Sequence, residues 1–344
     1  MMDLKGKHTV VFGLGRSGLA AAELLARKGA RVTVTDSNGP EALGDAVVKA
    51  EALGVALELG GHPRAMLDTA DLIVISPGVP HTIAPLETAR ASGVAVIGEV
   101  ELACRFIGAP IVAVTGTNGK TTTTELLGEM LKASGKKTFV GGNIGNALSR
   151  CALADETFEV VVAEISSFQL DTMERFHPSV GVLLNISADH LDRYDGMAGY
   201  AASKARLWAR MGTEDHLVYN RMDPQVVDLA GKAPGRHLPF WNADGEGDAA
   251  EAGGRIGGRI GTEKIELSLG GGKKCLLDLR RARLLGPHNR ENIAAAALAA
   301  LAAGATPAGV QGALDDFAPL PHRLEPVGTV DGVTYVNDTK ATNV

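Results

Sequence analysis

The stretch Ile111-Val-Ala-Val-Thr-Gly-Thr-Asn-Gly-Lys-Thr-Thr-Thr-Thr124 decides how the chain is read. Ile111 to Val114 is a short apolar run of strand character. It breaks into a glycine turn at Gly116 and Gly119, and Glu125-Leu-Leu-Gly-Glu-Met-Leu131 follows with helical spacing. Strand, glycine turn and helix together build a phosphate cradle. Glycines let backbone N–H groups turn inward, and a helix N-terminus adds about half a positive charge. Lys120 is placed to reach the β- and γ-phosphates, and Thr121 to put its hydroxyl on Mg²⁺. One position departs from the P-loop pattern, since G-x-x-x-x-G-K-[ST] asks for glycine where Val114 stands. The stretch reads as a nucleoside-triphosphate site rather than an ordinary glycine-rich strand–helix turn.

At about 100–200 residues per domain, a chain of 344 residues predicts two or three domains. Apolar content of 45% fills their cores, and only 4% aromatic residues points to aliphatic α/β packing. A net charge of -6 gives no general pull on nucleic acid or anionic membranes, so any anion is bound locally. Cys104, Cys151 and Cys275 share no metal-ligand spacing and read as buried thiols of a reducing compartment. No basic segment leads into an apolar run and cleavage site at the N-terminus. The longest apolar stretch, Ile293 to Ala303, is too short to span a bilayer. A soluble cytoplasmic protein is expected, and nothing calls for an assembly, so a monomer is expected too.

Upstream of the P-loop, His8-Thr-Val-Val-Phe12 reads as a strand and runs directly into Gly13-Leu-Gly-Arg-Ser-Gly18. An alanine-rich helix from Leu19 to Arg27 follows, then the strand Arg31–Thr35 ending on Asp36. This is a dinucleotide-type fingerprint, G-x-G-x-x-G after a strand with an acidic residue about twenty positions on. It predicts a diphosphate on the helix N-terminus with Asp36 near a ribose or base, and leaves NAD, FAD and nucleotide-sugars open. Ala70–Ile75 is a third strand, carrying Ser76-Pro-Gly78 at its end. Ligands of open α/β sheets sit beyond the carboxyl ends of strands, so the three ends are expected to line one crevice.

Downstream, Glu159–Ala163 is a buried strand ending on Glu164, a carboxylate where P-loop enzymes hold Mg²⁺. Val180–Leu184 is the next strand, with Asn185 and Asp189-His-Leu-Asp192 beyond it; His190 is a candidate metal or substrate contact. By composition Lys204 is an exposed helix lysine. Asn242 to Gly261 offers no periodic face and suits loose hairpins at a domain edge. Asn289 and Asn292 fall in the first turn of a helix, available to a base or ribose, with capping as the competing role for Asn289. A proline-broken linker, Phe317–Arg323, leads to a strand at Val333–Val336 that ends in Asn337-Asp-Thr-Lys-Ala-Thr-Asn343. One strand with nothing to pack on it makes no domain, so a third domain is expected beyond these residues.

Together these motifs resemble the Mur ligases of bacterial cell-wall synthesis, over the whole chain and in order. The marks are Gly116-Thr-Asn-Gly-Lys-Thr121, Gly141-Gly-Asn-Ile-Gly145, Ser166-Ser-Phe-Gln-Leu170, Asp189-His-Leu-Asp-Arg193, Gly286-Pro-His-Asn289, Pro321-His-Arg323 and Asn337–Asn343. Ser166–Leu170 resembles the family's D-glutamate-adding branch. The resemblance implies an α/β chain with a Rossmann-like UDP-sugar-binding domain at 1–98 and a central ATP-binding P-loop domain at 99–319. Residues 320–344 would be a linker and the start of a third α/β domain. It implies addition of D-glutamate to UDP-N-acetylmuramoyl-L-alanine at the expense of ATP, with the 344 residues by themselves binding the UDP-sugar without ligating.

Residue by residue, the resemblance places the UDP-sugar on Gly15, Arg16, Ser17, Asp36, Ser37, Ser76 and Gly78, with Asn38 standing where some relatives have arginine. Gly116, Thr117, Asn118, Gly119, Lys120, Thr121 and Thr122 would cradle ATP. Asn292 would meet adenine, Arg323 the phosphates and Asp338 the ribose. Asn143, Glu164 and His190 would meet the metals and the substrate's reacting end, Ser166 would bind the substrate, and Lys340 and Thr342 would lie near the acyl-phosphate and D-glutamate. Thr121, Glu164, His190 and Lys204 would hold two Mg²⁺ ions, Lys204 as a carbamate. Three rival readings remain. They are a UDP-sugar-binding module without catalysis, a folylpolyglutamate-type ligase, whose P-loop domain is N-terminal, and an NAD dehydrogenase, which has no use for Gly116–Thr121.

Overall fold

A computed structural model describes residues 2–243, 256–284, 286–322 and 325–340. The chain divides into two compact units. One comprises Met1–Ile111, Phe139–Pro178 and Ser203–Arg210; the other comprises Val112–Thr138, Ser179–Ala202 and Met211–Val344.

The first unit is built on strands β1 (His8–Phe12), β2 (Arg31–Asp36), β3 (Ala56–Leu59), β4 (Leu72–Ile75) and β5 (Ala95–Gly98), all parallel in the order β3-β2-β1-β4-β5. Side chains alternate across a strand, and here both faces are buried. Val11, Val34 and Val74 pack with Leu24 and Leu25 of helix Arg16–Arg27, while Val10, Phe12, Ile73 and Ile75 pack with Met66 and Leu86. That explains the unbroken apolar runs, which parallel sheets covered on both sides require. The chain leaves β1 toward β2 and later crosses to β4 on the other side. The carboxyl ends of β1 and β4 therefore open a crevice at the switch point.

Two buried glutamates tie this unit together from helix Glu99–Cys104. The Glu101 Oε2 accepts the N–H groups of Glu174, Arg175 and Phe176, each at 3.0 Å, and its Oε1 meets Arg105 at 2.9 Å. Glu99 Oε1 accepts the Ser149 N–H at 2.6 Å, and burial pushes its carboxyl above the usual range. Burial likewise pushes the Cys104 thiol up, and the Cys151 thiol to about 11. Cys151 is buried as expected, whereas Cys104 and Cys275 are only partly so.

Beyond β5, β6 (Ile111–Thr115) leads into the second unit, and β7 (Thr138–Gly142) and β8 (Val160–Glu164) belong to the first. The second unit adds β9 (Val180–Leu183), β10 (His216–Asn220), β11 (Arg236–Asn242), β12 (Gly257–Ile260), β13 (Lys264–Gly270) and β14 (Lys273–Asp278). Its strands run in the order β14-β13-β12-β11-β10-β9-β6, parallel from β6 to β12 and antiparallel thereafter. Helix Pro287–Ala302 is buried on every side from Ile293 to Ala300. A helix buried all round must be apolar all round, and alanine keeps it thin enough to pack between β-strands and helix Lys120–Ala133.

The expected loose segment at Asn242–Gly261 is in part ordered sheet. Gly257–Ile260 pairs parallel to β11, while 244–255 lie outside the described residues. Nor does the strand at Val333 stand alone. β15 (Glu325–Val330) and β16 (Val333–Asn337) form an antiparallel hairpin around Asp331-Gly332. Both turn residues have positive φ, 51° and 78°, the conformation that two-residue hairpins with Asp-Gly favour. Among the described residues no helix is long and apolar enough to cross a membrane.

Candidate functional site

In the first unit, the ends of β1, β2 and β4 line a crevice of about 410 Å³ together with Gly142, Asn143 and Gly145. That volume suits a small ligand. The Gly13–Gly18 turn brings the start of helix Arg16–Arg27 to its floor. The helix N-cap is Gly15, with no side chain capping the exposed N–H groups, which leaves the anion-binding end of the helix facing the crevice. Ser76 Oγ donates to Gly13 O at 3.1 Å and so fixes the turn against β4.

Asp36, expected near a ribose or base, is buried and takes three protein donors. Its Oδ2 accepts the Leu14 N–H at 2.8 Å, and its Oδ1 accepts the N–H and Nδ2 of Asn38 at 2.9 and 3.0 Å. Asp36 therefore shapes the crevice wall, and Ser37 and Asn38 are the exposed groups beside it. Arg16 reaches across to Gly145 O at 3.3 Å.

The Gly141–Gly145 motif meets the crevice because β7 and β8 are neighbours. Asn143 N–H donates to Glu164 O at 2.8 Å, and Asn143 Nδ2 to Glu164 Oε1 at 2.7 Å. Glu164 is 2% exposed, and its Oε2 has no hydrogen-bond partner among the described residues. An orphaned buried carboxylate oxygen is costly, and a divalent cation would satisfy it. The donor set thus fits Mg²⁺, a hard ion that takes oxygen ligands and keeps several waters. Among the described residues no three His, Cys, Asp or Glu side chains cluster as a metal cage.

One expectation in this unit changes. Lys204 is not an exposed helix lysine; it is 1% exposed. Its neighbours explain why: Ser203 Oγ donates to Ser167 O at 3.0 Å, and Arg206 donates to Leu170 O and Met173 O. These bonds pin the helix end onto the 167–173 segment. Ser166, expected at the substrate, is the N-cap of helix Ser167–Leu170 in a capping box with Gln169. Its amide and its hydroxyl both face that glutamine.

In the second unit the P-loop has the shape its residues predict. Gly116 and Gly119 have φ of 149° and 83°, and a Cβ at Gly119 would lie 2.3 Å from Asn292 Oδ1. Val114 is fully buried in β6, so the glycine turn begins at Gly116. Lys120 Nζ donates to Gly116 O at 3.0 Å and to Thr117 O at 2.7 Å, folded over the loop. Thr121 and Thr122 follow in the first helical turn. Asn292 is buried, accepting from Thr123 Oγ1 at 3.3 Å and donating to Asn289 Oδ1 at 3.1 Å.

His190 has a positive φ of 52° and lies 3.6 Å from Asp189 Oδ2. Asp338 and Lys340 are exposed just past the β15–β16 hairpin, with the Lys340 N–H donating to His322 O at 3.1 Å. Arg323 and Thr342 lie outside the described residues. Asn185, Ser187 and Tyr200, to which the sequence assigns no role, hold Thr117 and Asn118 in place. Asn185 and Ser187 belong to a polar run just past a strand end, whereas Tyr200 lies within the helix Gly196–Ala205 and has no such signal.

Family comparison matches residues 7–98 to the Mur ligase MurD-like N-terminal domain and residues 114–300 to the Mur ligase middle domain. The UDP-N-acetylmuramoylalanine–D-glutamate ligase of Desulfatibacillum aliphaticivorans is 52% identical over 343 residues, 100% of this chain and 74% of the relative. That of Desulfosudis oleivorans is 48% identical over 342 residues, covering 99% and 73%. In fold, the chain is similar to the UDP-N-acetylmuramate:L-alanyl-gamma-D-glutamyl-meso-diaminopimelate ligase of Neisseria meningitides. There the TM-score is 0.62 at 22% identity, over 92% of this chain and 99% of that one.

Proposed function

The chain belongs to the Mur ligase family, and on that footing we propose that it adds D-glutamate to UDP-N-acetylmuramoyl-L-alanine, using ATP, in peptidoglycan precursor assembly. One observation carries the reading beyond the family. A single crevice joins the Gly13–Gly18 turn, Asp36 and Ser76–Gly78 to Asn143, which is bonded to Glu164. A nucleotide diphosphate on the first set leaves its acyl arm free to reach the second.

The chemistry explains why a P-loop belongs in the same chain. A carboxylate is a poor electrophile, and amide formation in water is uphill. An L-alanyl carboxylate oxygen attacks the γ-phosphorus and ADP leaves, giving an acyl-phosphate. The amine of D-glutamate then attacks the acyl carbon, phosphate leaves, and the amine loses a proton. Positioning and charge neutralisation supply most of the catalysis. Lys120 binds the phosphates, Gly119 and the helix N-terminus hold them, and Asn143 orients the carboxylate. Thr121 and His190 in the second unit, and Glu164 and Lys204 in the first, are each proposed as Mg²⁺ ligands, and the ions when bound would neutralise phosphate charge.

Lys204 is proposed to carry a carbamate. The ammonium first gives up a proton; CO₂ then adds to the neutral Nζ, an N–C bond forms and a second N–H proton is lost, so that a cation becomes an anion able to ligate metal. Labelled bicarbonate should give a carbamate NMR resonance that disappears in Lys204→Ala; no resonance in the wild type would rule the carbamate out.

Ligation is tested by D-glutamate-dependent phosphate release. Residues 1–344 cover 73–74% of the relatives' lengths and by themselves are expected to bind the UDP-sugar without that release. Joined to the remaining segment of the Desulfatibacillum enzyme, they are expected to release phosphate only when D-glutamate and the UDP-sugar are both present. Release indifferent to D-glutamate would contradict the assignment.

A further inference from the structure

The P-loop is held by a residue outside every motif. Asn185 lies two positions beyond β9. Its Oδ1 accepts the Thr117 N–H at 3.1 Å and the Asn118 N–H at 2.8 Å, while its Nδ2 donates back to Asn118 O at 3.1 Å. The backbone O of Asn185 also accepts the Thr117 N–H at 3.0 Å. Only an amide meets this set: one oxygen facing two donors, and one nitrogen facing a carbonyl. Neighbouring bonds reinforce the strip, with the Ser187 N–H donating to Thr117 Oγ1 at 3.0 Å and the Ile186 N–H to Asp223 Oδ2 at 2.8 Å.

We propose that Asn185 is a positioning residue of the ATP site, which turns the Thr117 and Asn118 amides onto itself so that the phosphate cradle begins at Gly119. The proposal rests on the reading of the loop as an ATP site. In P-loops generally the amides point at the phosphates. Here two of them are committed elsewhere, and the left-handed Gly119, φ 83°, makes the step into helix Lys120–Ala133. The same bonds set the carbonyls of Gly116 and Thr117 where Lys120 Nζ meets them. Neutrality matters as well as shape. An aspartate would keep both acceptor bonds, lose the donor to Asn118 O, and bring a negative charge beside the phosphates.

The test compares the wild type with Asn185→Ala and Asn185→Asp in residues 1–344, titrating each with Mg·ATP and, separately, with adenosine. The alanine variant is expected to bind Mg·ATP about tenfold more weakly, the effect of losing the half-exposed hydrogen bonds to Thr117 and Asn118. The aspartate variant, nearly isosteric and so the safer folder, is expected to lose roughly a hundredfold. Adenosine, which has no phosphates, should bind all three alike. Unchanged Mg·ATP affinity in both variants would overturn the proposal, and so would an equal loss for adenosine, which would make Asn185 merely structural. A wild type that ignores Mg·ATP altogether would instead overturn the ATP reading itself.

Discussion

Lys120→Ala is expected to weaken Mg·ATP binding by about a hundredfold or more, while adenosine binding stays within threefold (as a rough allowance for indirect effects). Lys120 is the only cationic residue between Gly116 and Thr124. Its Nζ already sits on the loop, donating to the carbonyls of Gly116 and Thr117. A charge-assisted bond to a phosphate is about twice as strong as a neutral one, and the partly buried position limits solvent screening. Removing the ammonium also leaves the helix N-terminus to bind a polyanion alone. Lys120→Arg should recover little, because a planar fork cannot fold over so tight a turn. Titration of Mg·ATP by fluorescence or calorimetry reads the effect. Near-wild-type affinity in the alanine variant would mean that Gly116–Thr121 is not a phosphate cradle.

Gly18→Ala should be the most damaging single methyl in the first unit. A Cβ there would sit 1.8 Å from Gly13 O and 2.7 Å from Ser76 Oγ. Neither can give way, because Gly13 O is the acceptor that Ser76 uses to fix the turn. The helix must move off β1 or the turn must open. Forced overpacking of this kind costs about 3 kcal/mol, and UDP-sugar affinity should fall by roughly a hundredfold as the helix N-terminus leaves the crevice. Gly15→Ala separates the two effects. Nothing lies within 4 Å of its Cβ and its φ is an ordinary -78°, yet Gly15 lines the crevice. That variant should unfold at the same denaturant concentration as the wild type while binding the UDP-sugar less well. Equal stability of Gly18→Ala and wild type in a denaturant titration would refute the packing argument.

What the sequence made legible was local. Glycine turns after apolar strands identified the P-loop and the Gly13–Gly18 turn, since each is set by neighbours within about ten residues. Helix Pro287–Ala302 was likewise plain from its alanine run. Tertiary placement was not legible. Lys204 carries no local sign of burial; it is buried because Ser203 and Arg206 tie its helix to carbonyls more than thirty residues away. Asp36 lines the crevice, and its clamping of Leu14 and Asn38 has no local sign in the sequence. The Gly141–Gly145 motif reached the first crevice only once β7 and β8 were paired. Asn185 stands plainly at a strand end, but its role has no local sign, because its partners lie 67 and 68 positions away. The hairpin partner of Val333–Asn337 was not legible either, because Glu325–Val330 begins with Glu-Pro and shows no clean alternation.

The first-unit crevice is proposed to bind a UDP-linked acyl substrate with its carboxylate near Asn143 and Glu164. The decisive measurement is calorimetric titration of residues 1–344, with Mg²⁺ present, against UDP-N-acetylmuramoyl-L-alanine, UDP and NAD. Saturable one-to-one binding of the UDP-sugar is expected, about tenfold or more tighter than UDP because the acyl arm adds its own contacts, with no heat from NAD. Binding of NAD, or a UDP-sugar affinity no better than that of UDP, would contradict it.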